Sequence, residues 1–220
     1  MEHNKEKSMW VVKVGGSLLG TPELRHWLNI IATNSDGKII IVPGGGVFAD
    51  AVREAQQKTA ISDACAHVLA AMAMDQYGML LASLNRSLAI AHTEMEIDER
   101  TWQHRGILWI PSQMVLADDC IPKNWDATSD SIAAWLANKL NTEHLILLKS
   151  TQPEERVLNV SEITKMGLVD TEFAAFVAEQ PYKTWILGKD QYTAFADGLS
   201  LEKLQKVATE IVDEGVKYGT

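Results

Sequence analysis

The sequence predicts an α/β protein, a three-layer αβα sandwich built around a mostly parallel central sheet. Short β-branched runs alternate along the chain with longer stretches of helical periodicity, which is typical of a parallel sheet covered by helices on both faces. The 220 residues are 46% hydrophobic, enough apolar material for a full core. Because no repeat or linker interrupts the pattern, we expect a single domain over residues 1–220, with residues 1–8 as a disordered tail.

Five short apolar runs predict the strands of this sheet. Each is rich in β-branched residues or leucine and is bounded by polar residues, glycine or proline, as strands usually are. The runs are Trp10 to Val14, Lys38 to Val42, Ile107 to Ile110, His144 to Leu148 and Thr184 to Leu187.

Six segments show helical periodicity or a helix start signal. They begin near Pro22, span Val47 to about Thr59, Ser62 to about Leu84, Ser129 to about Leu140 and Thr171 to Glu179, and begin again at Ser200. Pro22 suits the first position of a helix, and Ser62 can act as an N-cap. The third segment is long and rich in small apolar residues. We expect it to pack against the sheet or against a second subunit, so the expected assembly is a homodimer or a higher homo-oligomer.

Charge and cysteine content exclude several classes of protein. The chain has 20 Lys and Arg against 29 Asp and Glu, and its net charge of −9 argues against partners such as nucleic acid or a membrane surface. No apolar run approaches the roughly 18 residues of a membrane span, and no secretory signal is present, so we expect a cytoplasmic protein. Cys65 and Cys120 lack the spacing of a zinc site or a disulfide framework, and we expect no metal bound by the protein alone.

The first candidate site lies at the end of the first strand, where Lys13 is followed by Gly15, Gly16 and Ser17. Glycines let backbone N–H groups turn toward one point, so this loop can bind phosphate oxygens while the lysine adds positive charge. The spacing matches neither a P-loop nor a dinucleotide fingerprint. A plain strand-to-helix turn is therefore the alternative interpretation.

The second candidate follows the second strand, where Gly44, Gly45 and Gly46 lead into a helix. Free N–H donors at the positive end of a helix dipole suit a phosphate or carboxylate, whereas a flexible loop is the alternative. Both glycine loops leave apolar strands at the carboxyl edge of the predicted sheet, where ligands of open sheets bind. Two anion-binding loops at one crevice predict phosphoryl transfer between a donor and an acceptor.

The third candidate is the start of the helix at Ser129. Its plain interpretation is a helix capped by Ser129, with Asp130 in the first turn. Its functional interpretation is that Asp130 hydrogen-bonds Lys13 or a neighbouring lysine, while Ser129 and Asp126 contact the acceptor.

Four further side chains are weaker candidates for binding the acceptor. Asp63 and His67 lie four residues apart and share a helix face, so with Asp75 they could recognise an amine. A helix cap with a satisfied histidine is the alternative, and metal binding is disfavoured because no third ligand follows. Arg53 could reach the acceptor, although a solvated helix arginine is equally compatible with the sequence.

These segments resemble the amino acid kinase family. The resemblance rests on Lys13-Val-Gly-Gly-Ser17, Val42-Pro-Gly-Gly-Gly46, residues 126–134 and Tyr218-Gly219-Thr220. Residues 44–50, 62–78 and 125–131 are further similar to one narrower branch, the [5-(aminomethyl)furan-3-yl]methyl phosphate kinases of methanofuran biosynthesis. The resemblance implies an αβα sandwich that transfers the γ-phosphoryl group of ATP, bound with Mg²⁺, to a small phosphate substrate.

The resemblance also implies roles for individual residues. Lys13, Gly15 and Gly16 would contact the transferring phosphoryl group, Gly44 to Gly46 would bind the acceptor phosphate, and Asp130 would organise the charges. The acceptor-side half of the chain would cover about 9–140 and the nucleotide-side half about 141–220.

Two departures from the family pattern concern the nucleotide side. Many members follow the fourth predicted strand with Thr/Ser-Asp-Val-Asp-Gly, whereas this chain has Lys149 to Glu155. Some members place a second lysine where this chain has Gly167 to Asp170, so Lys149 or Lys165 would have to supply that charge.

Two alternatives therefore stay open at the level of sequence. One is a kinase of another phosphate, such as isopentenyl phosphate or a nucleoside monophosphate. The other is a non-catalytic binding or regulatory homologue with a degenerate nucleotide site. An aminomethyl acceptor needs a carboxylate within hydrogen-bond reach, and Asp63 and Asp126 favour it over an apolar prenyl chain.

Overall fold

An eight-stranded sheet forms the middle layer of the protein in the computed structural model, which describes residues 9–213. The strands are β1 (Trp10–Val14), β2 (Ile39–Pro43), β3 (Ala89–Ala91), β4 (Ile107–Trp109), β5 (His144–Lys149), β6 (Val157–Asn159), β7 (Lys183–Gly188) and β8 (Thr209–Val212). Their order across the sheet is β3-β4-β2-β1-β5-β7-β8-β6. Every pair is parallel except β7 with β8. The predicted mostly parallel αβα sandwich is therefore confirmed.

Helices cover both faces of this sheet. They are α1 (Pro22–Asn34), α2 (Gly46–Thr59), α3 (Asp63–Leu84), α4 (Glu94–Thr101), α5 (Ser112–Ala117), α6 (Ser129–Lys139), α7 (Val160–Lys165), α8 (Phe173–Val177) and α9 (Leu201–Val207), with 3₁₀ turns at Gly16–Leu18 and Lys189–Phe195. No helix within residues 9–213 is long and apolar enough to cross a membrane. The predicted tail at 1–8 and the terminal Tyr218-Gly219-Thr220 lie outside the described residues.

Strand alternation divides the core into two layers. Along β1, Val11 belongs to the apolar cluster that contains the buried residues of α6 and α8, whereas Val12 and Val14 belong to the cluster that contains those of α1. Side chains two residues apart on a strand share a face, so Lys13 lies on the same side as Val11 and faces α6. The same alternation on β5 puts Lys149 on that face, and β1 and β5 are adjacent parallel strands.

The five predicted strands are confirmed to within one or two residues, but β3, β6 and β8 were not predicted. The strand β3 is only three residues long and consists of Ala, Ile and Ala, so it carries little strand propensity. The edge strand β6 leaves Val157 47% exposed, so its sequence has no continuous apolar pattern. The short helices α4, α5 and α7 were also missed, and α8 is shorter than the predicted Thr171 to Glu179.

The long helix α3 follows the prediction closely. The Ser62 hydroxyl accepts a hydrogen bond from the Cys65 backbone N–H at 3.2 Å, so Ser62 is the N-cap, as expected. The predicted capping by Ser129 is wrong. Thr128 occupies the N-cap position of α6, and its side chain does not bond the helix N-terminus.

Candidate functional site

The two glycine loops meet at the carboxyl edge of the sheet. A Cβ on Gly16 would lie 2.3 Å from the Gly46 Cα, and a Cβ on Gly44 would lie 2.8 Å from the Gly16 backbone nitrogen. The Gly44 N–H donates to the Val14 carbonyl at 2.9 Å, which fixes the second loop against the end of β1. Only glycine allows this approach of two backbones, so the glycines at these positions are a requirement of the contact.

The backbone conformation at residue 46 explains why this position is also a glycine. Gly46 begins α2 with a φ of +53°, in the left-handed region that favours glycine. The free N–H groups of the first turn of α2 therefore begin beside Gly16. An anion bound at this helix N-terminus would lie next to the loop that follows Lys13.

A buried cluster of two lysines and one carboxylate lies beside the glycine loops. Lys13 Nζ is 2.8 Å from Asp130 Oδ1, and Lys149 Nζ is 2.7 Å from both carboxylate oxygens. Lys13 lies on β1, Lys149 ends the adjacent β5, and Asp130 stands in the first turn of α6. The structure thus contains the contact predicted for Asp130, and it involves both lysines.

The charged groups of this cluster shift one another's pKa values. Burial alone would raise the pKa of the Asp130 carboxyl, but the ammonium groups of Lys13 and Lys149 outweigh burial and hold that pKa below its ordinary value. Burial, and then the charge of Lys13, lowers the pKa of the Lys149 ammonium to about 8, although Asp130 acts in the opposite direction. Two cations and one anion leave a net positive centre that can attract phosphate oxygens.

Asp170 fixes the start of α6, and through it Asp130. Its carboxylate accepts hydrogen bonds from the Thr128 N–H at 2.9 Å, the Thr128 hydroxyl at 2.8 Å, the Ser131 N–H at 3.1 Å and the Ser131 hydroxyl. A carboxylate at a helix N-terminus also stabilises the helix dipole. Asp170 thereby satisfies N–H groups at the start of α6, the role that Ser129 was expected to have.

A cavity of about 480 Å³ opens beside the glycine loops, between α2, α3 and the segment that leads into α6. Seven of the predicted site residues line it: Gly16, Ser17, Gly45, Gly46, Arg53, His67 and Ser129. Apolar side chains, Ala71, Met74 and Ile132 among them, form other parts of the wall. The cavity thus combines an anion-binding end with a largely apolar interior, as small-molecule sites do.

The other predicted residues lie elsewhere. Asp63 and Asp126 do not line the cavity. Asp63 accepts a hydrogen bond from Gln56 at 2.8 Å, and Asp126 accepts one from Asn124 at 3.0 Å. Asp75 is occupied by Ser112, whose N–H donates to it at 2.9 Å at the start of α5. Gly15 supports the loop, since its N–H donates to the Leu148 carbonyl at 3.1 Å.

Lys149 and Lys165, the two candidates for a second lysine, differ in position. Lys149 contacts Asp130, whereas Lys165 is exposed in the last turn of α7. The structure brings Lys149, and not Lys165, to the buried cluster.

Two cavity residues were not predicted from the sequence. Trp125 donates its indole N–H to the Gln56 side chain at 2.6 Å, and the Arg53 guanidinium lies 4.4 Å from its ring centroid. Asp50, one turn before Arg53, lines the cavity and pairs with that arginine at 2.9 Å. Trp125 begins a segment that was singled out, but its role as a cavity wall depends on Gln56, which is 69 residues away in the sequence.

Comparison with known proteins identifies the family. The model of the Amino acid kinase family matches residues 8–152 of this chain. The chain belongs to the amino acid kinase family. It is a phosphotransferase, and the [5-(aminomethyl)furan-3-yl]methyl phosphate kinase of Methanocaldococcus jannaschii is 27% identical to it over 190 residues, covering 81% of this chain and 87% of that protein.

Solved structures agree with this kinase in fold. Uridylate kinase from Archaeoglobus fulgidus has a TM-score of 0.67 at 18% identity. The match covers 93% of this chain and 100% of the chain of that kinase. Aspartate kinase from Synechocystis has a TM-score of 0.65 at 13% identity and covers 96% of this chain and 41% of its own. At these identities the likeness concerns the fold, in which the glycine loops and the lysine cluster of this kinase stand at the carboxyl edge of the sheet.

Proposed function

We propose that this kinase transfers the γ-phosphoryl group of Mg-ATP to the phosphate of a small monoester, with [5-(aminomethyl)furan-3-yl]methyl phosphate as the leading candidate. The observation that carries this proposal is the contact between the two glycine loops beside the Lys13–Asp130–Lys149 cluster. Negative oxygens from two molecules can meet there next to two cations. The relative from Methanocaldococcus jannaschii supports the choice of acceptor.

In the proposed reaction an oxygen of the acceptor phosphate forms a bond to the γ-phosphorus, and the bond from that phosphorus to the bridging β–γ oxygen breaks. ADP and a diphosphate ester are the products. The N–H groups that begin at Gly45 and Gly46 would bind the acceptor phosphate, and Gly16 and Ser17 would bind the transferring group. The N–H groups of Gly44 and Gly15 instead hold the two loops in place through Val14 and Leu148. Lys13 and Lys149 would neutralise the charge on the equatorial oxygens, and Asp130 would hold both ammonium groups in place.

Magnesium would accompany the nucleotide in this proposal. Among residues 9–213 no group of three or more His, Cys, Asp or Glu side chains is arranged to hold a metal ion. The cationic cluster and the glycine loops fit phosphate oxygens, so the ion would be held mainly by the nucleotide. When bound, it would neutralise part of the phosphate charge. Because ATP is the donor, we place this kinase in the cytoplasm.

The acceptor is tested by comparing kcat/KM on a panel of phosphates with Mg-ATP. The panel consists of [5-(aminomethyl)furan-3-yl]methyl phosphate, isopentenyl phosphate and UMP. We expect the furan phosphate to have the highest kcat/KM, because the relative from Methanocaldococcus jannaschii is named as the kinase of this phosphate. A higher value for either of the other two would reject this acceptor and leave the kinase assignment intact.

One observation favours a non-catalytic binding role as the second candidate. Gln152, in the altered loop after β5, accepts a hydrogen bond from the Gly188 N–H at 2.8 Å and donates one to the Val207 carbonyl at 2.6 Å. These bonds hold the loop across the carboxyl end of β7, on the proposed nucleotide side. Calorimetry with Mg-ATP separates the two functions, because a catalytic protein must bind the nucleotide. Absence of heat from a protein that still binds the furan phosphate would establish the second candidate.

The contact between the glycine loops leads to a prediction. Gly16→Ala should reduce kcat/KM by about 100-fold, because the new methyl group would meet the Gly46 backbone at 2.3 Å and separate the two loops. Gly15→Ala is the comparison, since its methyl group would lie 3.1 Å from the Leu148 carbonyl oxygen. We expect Gly15→Ala to lose less activity. Equal losses in steady-state assays of the two variants would contradict this account.

The pKa of Lys149 leads to a second prediction. As the pH rises through about 8, Lys149 loses its proton and kcat should fall. The folded-state pKa is below the ordinary value of 10.5, so the unfolded chain holds more protons between these pH values. The contribution of Lys149 to the free energy of unfolding therefore increases as the pH rises. Deprotonation of Lys149 would lower kcat without unfolding the protein. Lys149→Arg should move the fall in kcat to higher pH, and an unchanged pH profile would count against a role for Lys149.

We also propose that this kinase is a homodimer that pairs through α3. The side chains of Val68, Met72 and Met79 on this helix are 41%, 48% and 51% exposed. Met72→Lys should therefore shift the mass in solution from dimer to monomer, as measured by light scattering. Met95→Lys is the control, because Met95 is 79% exposed on α4. A monomeric mass for the unmodified protein would reject the dimer.

A further inference from the structure

His67 carries a buried nitrogen without a partner. The residue is 6% exposed, and Nε2 has no hydrogen-bond partner within residues 9–213 and no contact with solvent. A buried polar atom in this state is unfavourable, and such atoms are rare in native proteins. The imidazole also forms part of the wall of the cavity beside the glycine loops. Because the ring lines the cavity while Nε2 itself is closed to solvent, a ligand in the cavity would reach this nitrogen with a rotation of the imidazole.

The position of His67 along α3 shows which end of the ligand it would meet. His67, Ala70, Ala71 and Met74 lie on one stripe of α3, and all four line the cavity. Tyr77, further along the same helix, marks the phosphate end, because its hydroxyl donates to the Gly15 carbonyl at 3.3 Å. Ten residues of α-helix separate His67 from Tyr77, which corresponds to about 15 Å. His67 thus lies at the end of the cavity remote from the glycine loops.

The charge of His67 limits what it can bind. Burial, and then the nearby charge of Lys123, lowers the pKa of the imidazole, so the ring is neutral near pH 7. A neutral imidazole has one nitrogen that accepts a hydrogen bond. The two charged side chains that line the cavity, Asp50 and Arg53, are paired with each other at 2.9 Å.

We propose that His67 accepts a hydrogen bond from an amine at the end of the acceptor opposite its phosphate. This inference rests on the proposed function and extends it to the class of substrate, a compact phosphate monoester with a terminal amine. A hydrocarbon tail would leave the imidazole nitrogen buried and unpaired. The discrimination between an aminomethyl and a methyl group would thus come from His67, which the sequence grouped with Asp63 and Asp75, and not from the carboxylates of Asp63 and Asp126.

The test compares two substrates that differ only at this end, [5-(aminomethyl)furan-3-yl]methyl phosphate and (5-methylfuran-3-yl)methyl phosphate. The unmodified kinase should prefer the amine by about 10- to 100-fold in kcat/KM, the range of a hydrogen bond to a charged group. His67→Leu should reduce this ratio to nearly one, mainly by raising the KM for the amine. His67→Gln retains an acceptor oxygen and should keep part of the preference. His26→Leu is the control, because His26 stacks on Tyr192 outside the cavity and should keep the full ratio.

Stability separates substrate binding from a structural role. His67→Leu removes an unpaired buried nitrogen, so its melting temperature should equal or exceed that of the unmodified protein. A ratio unchanged in both His67 variants, or no preference for the amine in the unmodified protein, would overturn the proposal. If His67→Leu does not fold, the comparison uses His67→Gln.

The same pair of compounds distinguishes failure of this inference from failure of the proposed function. If neither is phosphorylated with Mg-ATP, the proposed function fails, and dissociation constants from calorimetry without nucleotide then test His67 directly. Tighter binding of the amine that is lost in His67→Leu would support the inference even then. Equal binding of the two compounds would reject it.

Discussion

Lys13→Ala should lower kcat by about 100-fold or more, since it removes a cation from the transferring phosphoryl group. Lys13 is 5% exposed and lies 2.8 Å from Asp130, so a solvent-exposed lysine cannot substitute for it at this position. The variant should stay folded, because Lys149 still pairs with Asp130. Lys13→Ala should therefore affect the reaction far more than stability.

The matched control for this experiment is Lys165→Ala. Lys165 was the other lysine that the sequence offered for the nucleotide side, but it is exposed on α7. We expect its kcat to be within about twofold of the unmodified value, since the charge is screened by solvent. Single-turnover assays at saturating Mg-ATP isolate the chemical step. Undiminished turnover in Lys13→Ala would remove the basis of the proposed mechanism.

Asp130→Asn should have the largest combined effect on stability and activity. The substitution keeps the shape of the side chain but leaves two buried ammonium groups, those of Lys13 and Lys149, without a counter-charge. Breaking a buried ion pair in this way costs about 3–5 kcal/mol in the free energy of unfolding. The activity should fall as well, because the lysines would no longer be held beside the glycine loops.

Urea denaturation at pH 7 measures the loss, with Asp126→Asn as the control. Asp126 is exposed and should change the free energy of unfolding by less than about 0.5 kcal/mol. The pKa of Asp130 is depressed in the folded state, so its stabilising effect is complete above the ordinary carboxyl pKa and is lost as the pH falls through the folded value. The gap between Asp130→Asn and the unmodified protein should therefore shrink in acid. Equal stability of the two proteins at pH 7 would contradict the role of this pair.

The fold was largely predictable because its central strands are buried on both faces. Such strands form continuous apolar runs, as in β2 and β5, and their order along the chain predicts a parallel sheet. The edge strands β3 and β6 were not predictable in this way, since each is three residues long and is defined by its pairing with the neighbouring strand. The antiparallel β8 also depends on pairing with β7, which no local pattern indicates.

In the candidate site, too, local motifs were predictable and contacts between distant residues were not. Glycine loops are local motifs, so Gly16 and Gly46 could be singled out, and strand order then predicted that their loops meet. The carboxylate on Thr128 and Ser131 comes from Asp170, about 40 residues later, and this contact has no signature in the sequence. The sequence offered Asp63 and Asp126 as carboxylates for the amine, but in the structure they accept hydrogen bonds from their neighbours Gln56 and Asn124.

The contact of Asp170 with α6 has a consequence for synthesis of the protein on the ribosome. When residues 1–140 have emerged, both glycine loops and α6 are present, yet Asp130 still lacks Lys149 and its helix lacks Asp170. The charged centre can close only after the polypeptide has grown beyond residue 170. A nascent chain released before that point would have Lys13 and Asp130, but α6 would lack the Asp170 carboxylate at its N-terminus.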